Sequence, residues 1–186
     1  ANDAPIRETL AAALCSLSRL RHDQTMYDPC CGSGTILIEG AMLAHNIAPG
    51  INRNFECDRW EFIPEKAWMQ ERERCHDIIK TDTDFVAFGS DIDFHALELT
   101  MANAKRIKVD KFLRLETADI KDFNPTTEKG TLITNPPYGE RMLDVKTAKN
   151  IYHIMGEKFV SKHGWSYGII SPDEEFEREF GRKADK

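Results

Sequence analysis

The segment Asp28-Pro29-Cys30-Cys31-Gly32-Ser33-Gly34-Thr35 constrains this chain more than any other. It follows a short strand-like stretch, residues 25–28, and leads into TILIEGAMLAHNI (35–47), which is apolar almost all round. A strand, a tight glycine turn and a helix buried on most sides are the opening of a βαβ unit. The rest of the chain repeats the alternation. FVAFG (85–89) reads as a buried strand and FHALELTMANAKRIK (94–108) as the helix after it. Residues 112–116, 131–134 and 165–170 are further strand candidates, with a helix over 152–162 leading into the last. Upstream, Ile6, Leu10, Leu14, Leu17 and Leu20 recur at helical steps, which predicts an amphipathic helix over 5–20. Strands alternating with helices imply an α/β fold, a doubly wound and mostly parallel sheet covered on both faces. All 186 residues are assigned to one such domain, which is long enough to bury its own core.

Residues 47–84 break the rhythm, being longer than an ordinary connection. A loop-like part, APGINRNFECDRWEF, precedes a predicted helix over 64–80, with Pro64 at its first position and Trp68, Cys75, Ile78 and Ile79 near one face. Two readings stay open: an insertion packed against the sheet edge, or a wall or lid over a site. Net charge narrows the partners. At −6, the chain lacks the basic excess of a protein that grips nucleic acid mainly by neutralising phosphates. A nucleic-acid substrate would therefore draw much of its grip from outside this chain. The longest mainly apolar stretch, residues 35–48, is interrupted by Glu39 and His45 and is too short to span a bilayer, so no membrane partner is expected. Five cysteines without a CxxC pair or the Cys/His spacing of a zinc site are expected to be reduced thiols of a cytoplasmic protein, with no metal. The first residue is Ala and the last stretch, GRKADK, is a charged run, so both ends read as cut.

The glycine turn offers a place for an anion. Glycines at 32 and 34 let a ligand approach the backbone, and the helix behind them presents unpaired N–H groups. The dinucleotide fingerprint GxGxxG is not met, because Leu37 stands where its third glycine would fall. The next strand-end acid, Asp91, lies 57 residues beyond Gly34, whereas the fingerprint places its acid about 20 residues on. Both points disfavour a nicotinamide or flavin site. Asp91, within Gly89-Ser90-Asp91-Ile92-Asp93, ends the strand beside the turn and can accept from ribose hydroxyls, while Asp93 is read as the cap of the next helix. After the third strand, Asp119 and Ile120 repeat the acid-plus-branched pattern. Ile92 and Ile120 would sandwich an adenine ring whose amino group donates to Asp119. Together these residues describe a pocket for an adenosine bearing an anionic group. The fourth strand ends in Asn135-Pro136-Pro137-Tyr138. Two prolines stiffen the chain and cannot donate, which aims the carbonyls and the Asn135 side chain outward as acceptors beside an aromatic ring.

In this order, DPCCGSG, GSDID, ADI and NPPYGER resemble the Rossmann-type S-adenosyl-L-methionine-dependent methyltransferases that act on exocyclic amino groups. More closely, they resemble the RNA guanine amino-methyltransferases that carry an N-terminal THUMP domain, the bacterial 23S ribosomal RNA large-subunit type. The likeness runs over nearly the whole chain, and its specific parts are DP-x-CGSG followed by Ile38-Glu39, and NPPYGER. Where that family usually has a bulky apolar residue before CGSG, this chain has Cys30. The resemblance implies S-adenosyl-L-methionine as cofactor, with Asp28, Cys31, Gly32, Ser33 and Gly34 around its methionine part. It implies Asp91 at the ribose, Asp119 with Ile92 and Ile120 at the adenine, and Asn135, Pro136 and Tyr138 receiving the target base, with Asn135 also bordering the cofactor. PIRETLAAAL would abut the methionine end through Arg7, Glu8 and Thr9. The family fold is a seven-stranded sheet ending in an antiparallel hairpin, of which five strands are legible here, and its RNA-gripping THUMP module would lie upstream of these residues. The implied reaction is methylation of a guanine exocyclic amine in 23S ribosomal RNA. The same tetrapeptide serves amino-methyltransferases of DNA and of protein glutamine. A catalytically silent RNA-binding or assembly module would keep the same fold.

Overall fold

In the computed structural model, which describes residues 5–138 and 145–185, the chain runs α1 (Glu8–Leu17), β1 (Thr25–Asp28), α2 (Thr35–Ala44), α3 (Glu65–Asp77), β2 (Val86–Asp91), α4 (Phe94–Ile107), β3 (Leu113–Thr117), β4 (Gly130–Thr134), α5 (Val145–Lys158), β5 (Trp165–Ile169) and α6 (Phe176–Phe180). The strands form one sheet in the order β3-β2-β1-β4-β5, and every neighbouring pair is parallel. From β1 the chain steps outward through β2 and β3, then returns to the other side of β1 for β4 and β5. The reversal opens a crevice at the carboxyl ends of β1 and β4, where open α/β sheets bind ligands.

Alternation along each strand sends side chains to two cores. Met26, Ala87, Leu113 and Ile133 join Leu37, Ala41 and Leu97 beneath α1, α2 and α4. Tyr27 and Leu132 join Tyr152, Met155 and Phe159 beneath α5 and α6. Helix α2 lies so close to the sheet that a Cβ on Gly40 would stand 2.4 Å from Met26 Sδ.

Every element the sequence predicts is present, while α6 goes unpredicted and several boundaries move. Helix α1 is shorter than the predicted 5–20, because the chain turns at Arg19 (φ 55°). Helix α2 stops at Ala44, three residues early, with Asn46 in the left-handed region (φ 55°). Pro64 is the residue before α3 (φ −59°, ψ 134°) rather than its first helical residue. Helix α5 starts at Val145 instead of 152, because its buried stripe of Ala148, Tyr152 and Met155 begins inside the polar-looking VKTAKN.

The excursion of residues 47–84 leaves from the end of α2 and returns just ahead of β2, so both its ends lie at the amino edge of the sheet. They are tied there by Lys80 N–H donating to His45 O (2.8 Å) and Asn46 Nδ2 donating to Ile78 O (3.0 Å). Helix α3 has no buried residue, and Trp60 and Phe62 stack on each other at 5.4 Å while remaining exposed. No helix among the described residues is long and apolar enough to cross a membrane. All five cysteines are free thiols.

Candidate active site

The turn after β1 has almost all its polar groups assigned by the surrounding fold. Cys30 N–H donates to Asp28 Oδ1 (3.2 Å), Cys31 N–H to Ser90 O (3.0 Å), Gly32 N–H to Asp91 Oδ2 (2.9 Å) and Gly34 N–H to Cys31 O (2.8 Å). Gly34 has φ +78°, and a Cβ there would come within 2.3 Å of Thr100 Cγ2, so only glycine closes the turn against α4. Ser33 N–H donates to no acceptor among the described residues, and the first N–H groups of α2 follow it. An anionic ligand group thus meets backbone donors that nothing else consumes.

Asp28 is buried at the floor of the crevice and accepts from Thr134 Oγ1 at 2.7 Å, which links the tips of β1 and β4. Burial pushes its carboxyl up to about 7, against the hydrogen bonds from Thr134 and Cys30, and the nearby charge of Asp91 adds to the rise. A cation above it would favour the ionised form. Burial also raises the thiols of Cys30 and Cys31, with Asp28 the next cause, so both stay protonated. On α2, Glu39 is half-buried, and its carboxyl is raised first by burial and then by Glu8 at the start of α1.

The tips of β2 and β3 supply the adenosine side. Asp91 Oδ1 accepts from Asp93 N–H at 3.0 Å and Oδ2 from Gly32 N–H, which fixes the carboxylate and leaves further lone pairs free. Asp93 caps α4 by accepting from His95 N–H (2.9 Å), as the sequence predicts. Asp119 accepts from Lys121 N–H (3.0 Å) and pairs with Lys121 Nζ (3.1 Å); that backbone bond, and then the lysine, hold its carboxyl low. The two isoleucines differ. Ile92 is 73% exposed and free to cover a ring, whereas Ile120 is 6% exposed and belongs to the Tyr27–Leu132 core, so it offers little surface. What the sequence does not reveal is a cavity of about 240 Å³ beside these tips, bounded by Asp28, Ser90, Asp119, Phe88 and Phe123. The signal available was the alternation in β2, which turns Phe88 away from the face of Ala87 and Gly89.

At the tip of β4, Pro136 is buried while Asn135 and Tyr138 are half-buried. Among the described residues the Asn135 amide makes no hydrogen bond. Thr134 O accepts from Ile170 N–H (3.2 Å), anchoring the strand just below. The Gly-Glu-Arg that completes the motif, residues 139–141, lies outside the described residues. The structure therefore brings Asp28, the glycine turn, Asp91, Asp119 and Asn135 to one edge of one sheet, and no group of three or more His, Cys, Asp or Glu among the described residues could hold a metal.

A crevice at the strand tips with spare N–H donors at one end and, among the described residues, an unpaired amide at the other defines a class, the Rossmann-type methyltransferases that use S-adenosyl-L-methionine. Within that class the chain belongs to the RMKL-like methyltransferase domain family (UPF0020), whose model matches residues 1–186. It is 39% identical over 183 residues to the YpsC protein of Bacillus subtilis, covering 98% of this chain and 48% of that protein. It is 38% identical over 190 residues to the ribosomal RNA large subunit methyltransferase K/L of Shewanella pealeana, covering 99% of this chain and 27% of that one. The chain thus spans half or less of the length of these relatives. Among solved structures it is similar to SMU.472 in complex with S-adenosylhomocysteine, at 40% identity and a TM-score of 0.93, over 99% of this chain and 49% of that one. It is also similar to a Listeria monocytogenes protein described as a predicted N6-adenine-specific DNA methylase, at 37% identity and a TM-score of 0.91, over 98% and 48% of the two chains.

Proposed function

We propose that this chain is the catalytic domain of an RNA methyltransferase that methylates the exocyclic amino group of a guanine, with 23S ribosomal RNA as its substrate. The observation that carries the reading is the Asn135 amide, unpartnered among the described residues and three residues from Tyr138, at the end of the strand hydrogen-bonded to the one that bears the glycine turn. Bound in the crevice, the cofactor supplies a methyl group on a sulfonium. Asp91 holds the ribose, Asp28, Cys31, Gly32, Ser33 and Gly34 surround the methionine part, and Ile92 and Asp119 face the adenine. Phe88 and Phe123 border the space beside it.

A guanine amine is a poor nucleophile, because its lone pair is delocalised into the ring. Asn135 Oδ1 and the Pro136 carbonyl each accept one of its N–H bonds, which draws the nitrogen toward tetrahedral and localises that pair. Holding it in line with the methyl supplies much of the rate, and no strong base is required beforehand. A base inside a paired stem is out of reach, so the nucleotide swings out and stacks on Tyr138, a contact worth roughly 1–3 kcal/mol. With a net charge of −6, the domain relies on RNA-gripping sequence outside these residues, an upstream THUMP module in our reading, and works in the cytoplasm where ribosomal RNA is found.

The Shewanella relative's name supports ribosomal RNA, whereas the description of the Listeria neighbour favours a second reading, methylation of adenine N6 in DNA. The experiment that separates them supplies labelled S-adenosyl-L-methionine with large-subunit RNA from a strain lacking this gene, or with DNA, and identifies the product nucleoside. N2-methylguanosine in RNA is expected. N6-methyl-2′-deoxyadenosine in DNA would establish the second reading. No transfer to either by the full-length protein, with intact cofactor binding, would count against both readings and favour a catalytically silent module.

A further inference from the structure

Helix α4 carries no residue of the motifs, yet two of its side chains bond directly to the glycine turn. Thr100, fully buried, donates from Oγ1 to the carbonyl of Gly32 at 2.7 Å, across 68 residues of sequence. One turn further along the same face, Asn103 Nδ2 donates to the carbonyl of Ser33 at 3.2 Å. A trans peptide is planar, with its C=O and the following N–H pointing in opposite directions. Holding the Gly32 carbonyl against α4 therefore turns the Ser33 N–H away from α4, toward the crevice. Holding the Ser33 carbonyl turns the Gly34 N–H away likewise, and that group closes the turn on Cys31 O at 2.8 Å. The N–H groups of Cys30, Cys31, Gly32 and Gly34 are all consumed within the fold, which leaves Ser33 N–H as the turn's one unspent backbone donor among the described residues. The Thr100 methyl meanwhile sits where a Cβ of Gly34 would be, so side chain and turn are fitted to each other.

We infer that Thr100 and Asn103 are positioning residues for the cofactor: they orient the two peptides of the turn so that Ser33 N–H meets the carboxylate of its amino-acid tail. The inference rests on the S-adenosyl-L-methionine reading of the crevice. The carboxylate is the only anion the cofactor carries, and the amino end of α2 adds its partial positive charge at the same place. Thr100 and Asn103 spend these donors on the turn itself, so their effect on the cofactor is expected to be confined to whatever contacts the amino-acid tail.

The test uses two ligands that share the thioether nucleoside and differ in that tail, S-adenosylhomocysteine and 5′-methylthioadenosine, titrated calorimetrically into the wild type, Thr100→Val, Thr100→Ser and Asn103→Ala. Valine keeps the shape and branching of threonine but cannot donate; serine keeps the donor. Thr100→Val is expected to weaken S-adenosylhomocysteine by about tenfold, the effect of one hydrogen bond to a charged group, with methylthioadenosine changed by less than about twofold. Thr100→Ser should restore most of the loss, and Asn103→Ala, at a less buried position, should show a smaller loss of the same selective kind. Parallel weakening of both ligands, or no weakening of either, would overturn the inference while leaving the cofactor reading intact. Failure of the wild type to bind S-adenosylhomocysteine would overturn the cofactor reading itself. Should Thr100→Val not fold, the selectivity of Asn103→Ala decides the matter on its own.

Discussion

The loops at the carboxyl edge of the sheet and the excursion of residues 47–84 at the amino edge are both polar surface segments, but they are held in different ways. At the carboxyl edge the bonds join residues far apart in sequence: Gly32 to Asp91 across 59 residues, Gly32 to Thr100 across 68, and Asp28 to Thr134 across 106. Inside the excursion they are shorter in range, as in Phe55 with Asp58, Arg74 with Glu71 and Arg72 with Arg53 O across 19 residues, and the longer ties, Asn46 to Ile78 and Lys80 to His45, fasten only its two ends. The Arg74–Glu71 pair is exposed, and exposed ion pairs hold a segment only weakly. The strand-tip loops inherit their geometry from the two cores, whereas α3 has no buried residue through which the cores could set its position. A rigid, core-defined edge can hold donors and acceptors in place before a ligand arrives, whereas beyond Ile47, which packs on the core, α3 has no such support.

Asp91→Ala strikes the rigid edge hardest. It removes both the partner of Gly32 N–H and the acceptor proposed for the ribose, and should weaken S-adenosylhomocysteine by about 10–100-fold. Unchanged affinity in a folded variant would move the ribose site elsewhere. Asp93→Ala, which removes only the cap of α4, should cost about 1 kcal/mol of stability and leave affinity nearly intact.

A second, smaller effect concerns the strain that the rigid edge carries. The Asp28 carboxyl has its folded pKa near 7, above its ordinary 3.8. Between those values the folded state binds the proton more tightly than the unfolded state does. Stability is therefore lost as pH rises through that window, and the full cost of a buried carboxylate is present at pH 8. Asp28→Asn should accordingly be more stable than the wild type at pH 8, on the order of 2 kcal/mol by urea unfolding, with the gain gone near pH 4. A difference that did not vary with pH would show that Asp28 is not held above its ordinary range.

The smallest effects belong to the excursion. Trp60→Ala and Phe62→Ala should each change stability by less than about 0.5 kcal/mol, as exposed positions do, and leave cofactor affinity unaltered. If either abolished transfer to RNA while cofactor binding persisted, the excursion would belong to the substrate surface and the contrast between the two edges would fail.

Much of this contrast is legible in the sequence. The parallel sheet follows from strand and helix periods alone, and the turn, Asp91, Asp119 and Asn135 stand at strand ends that the alternation marks. The rest depends on distant partners. Thr100 and Asn103 read as ordinary helix residues until α4 is laid against the turn. Ile120 reads like Ile92, and only the packing of its short turn onto Tyr27 and Leu132 covers it. The early start of α5 is invisible because three buried residues in fourteen make too sparse a stripe.

The central claim is that the rigid edge separates holding the cofactor from activating the amine, and Asn135 is where the two part. Single-turnover methyl transfer to large-subunit RNA, measured beside calorimetric binding of S-adenosylhomocysteine, tests it in one variant, Asn135→Ala. The account predicts transfer slowed by at least about a thousandfold, as when a catalytic hydrogen-bonding group is removed, with cofactor affinity within a few-fold of wild type. Robust transfer by Asn135→Ala, or an equal collapse of cofactor binding, would contradict it.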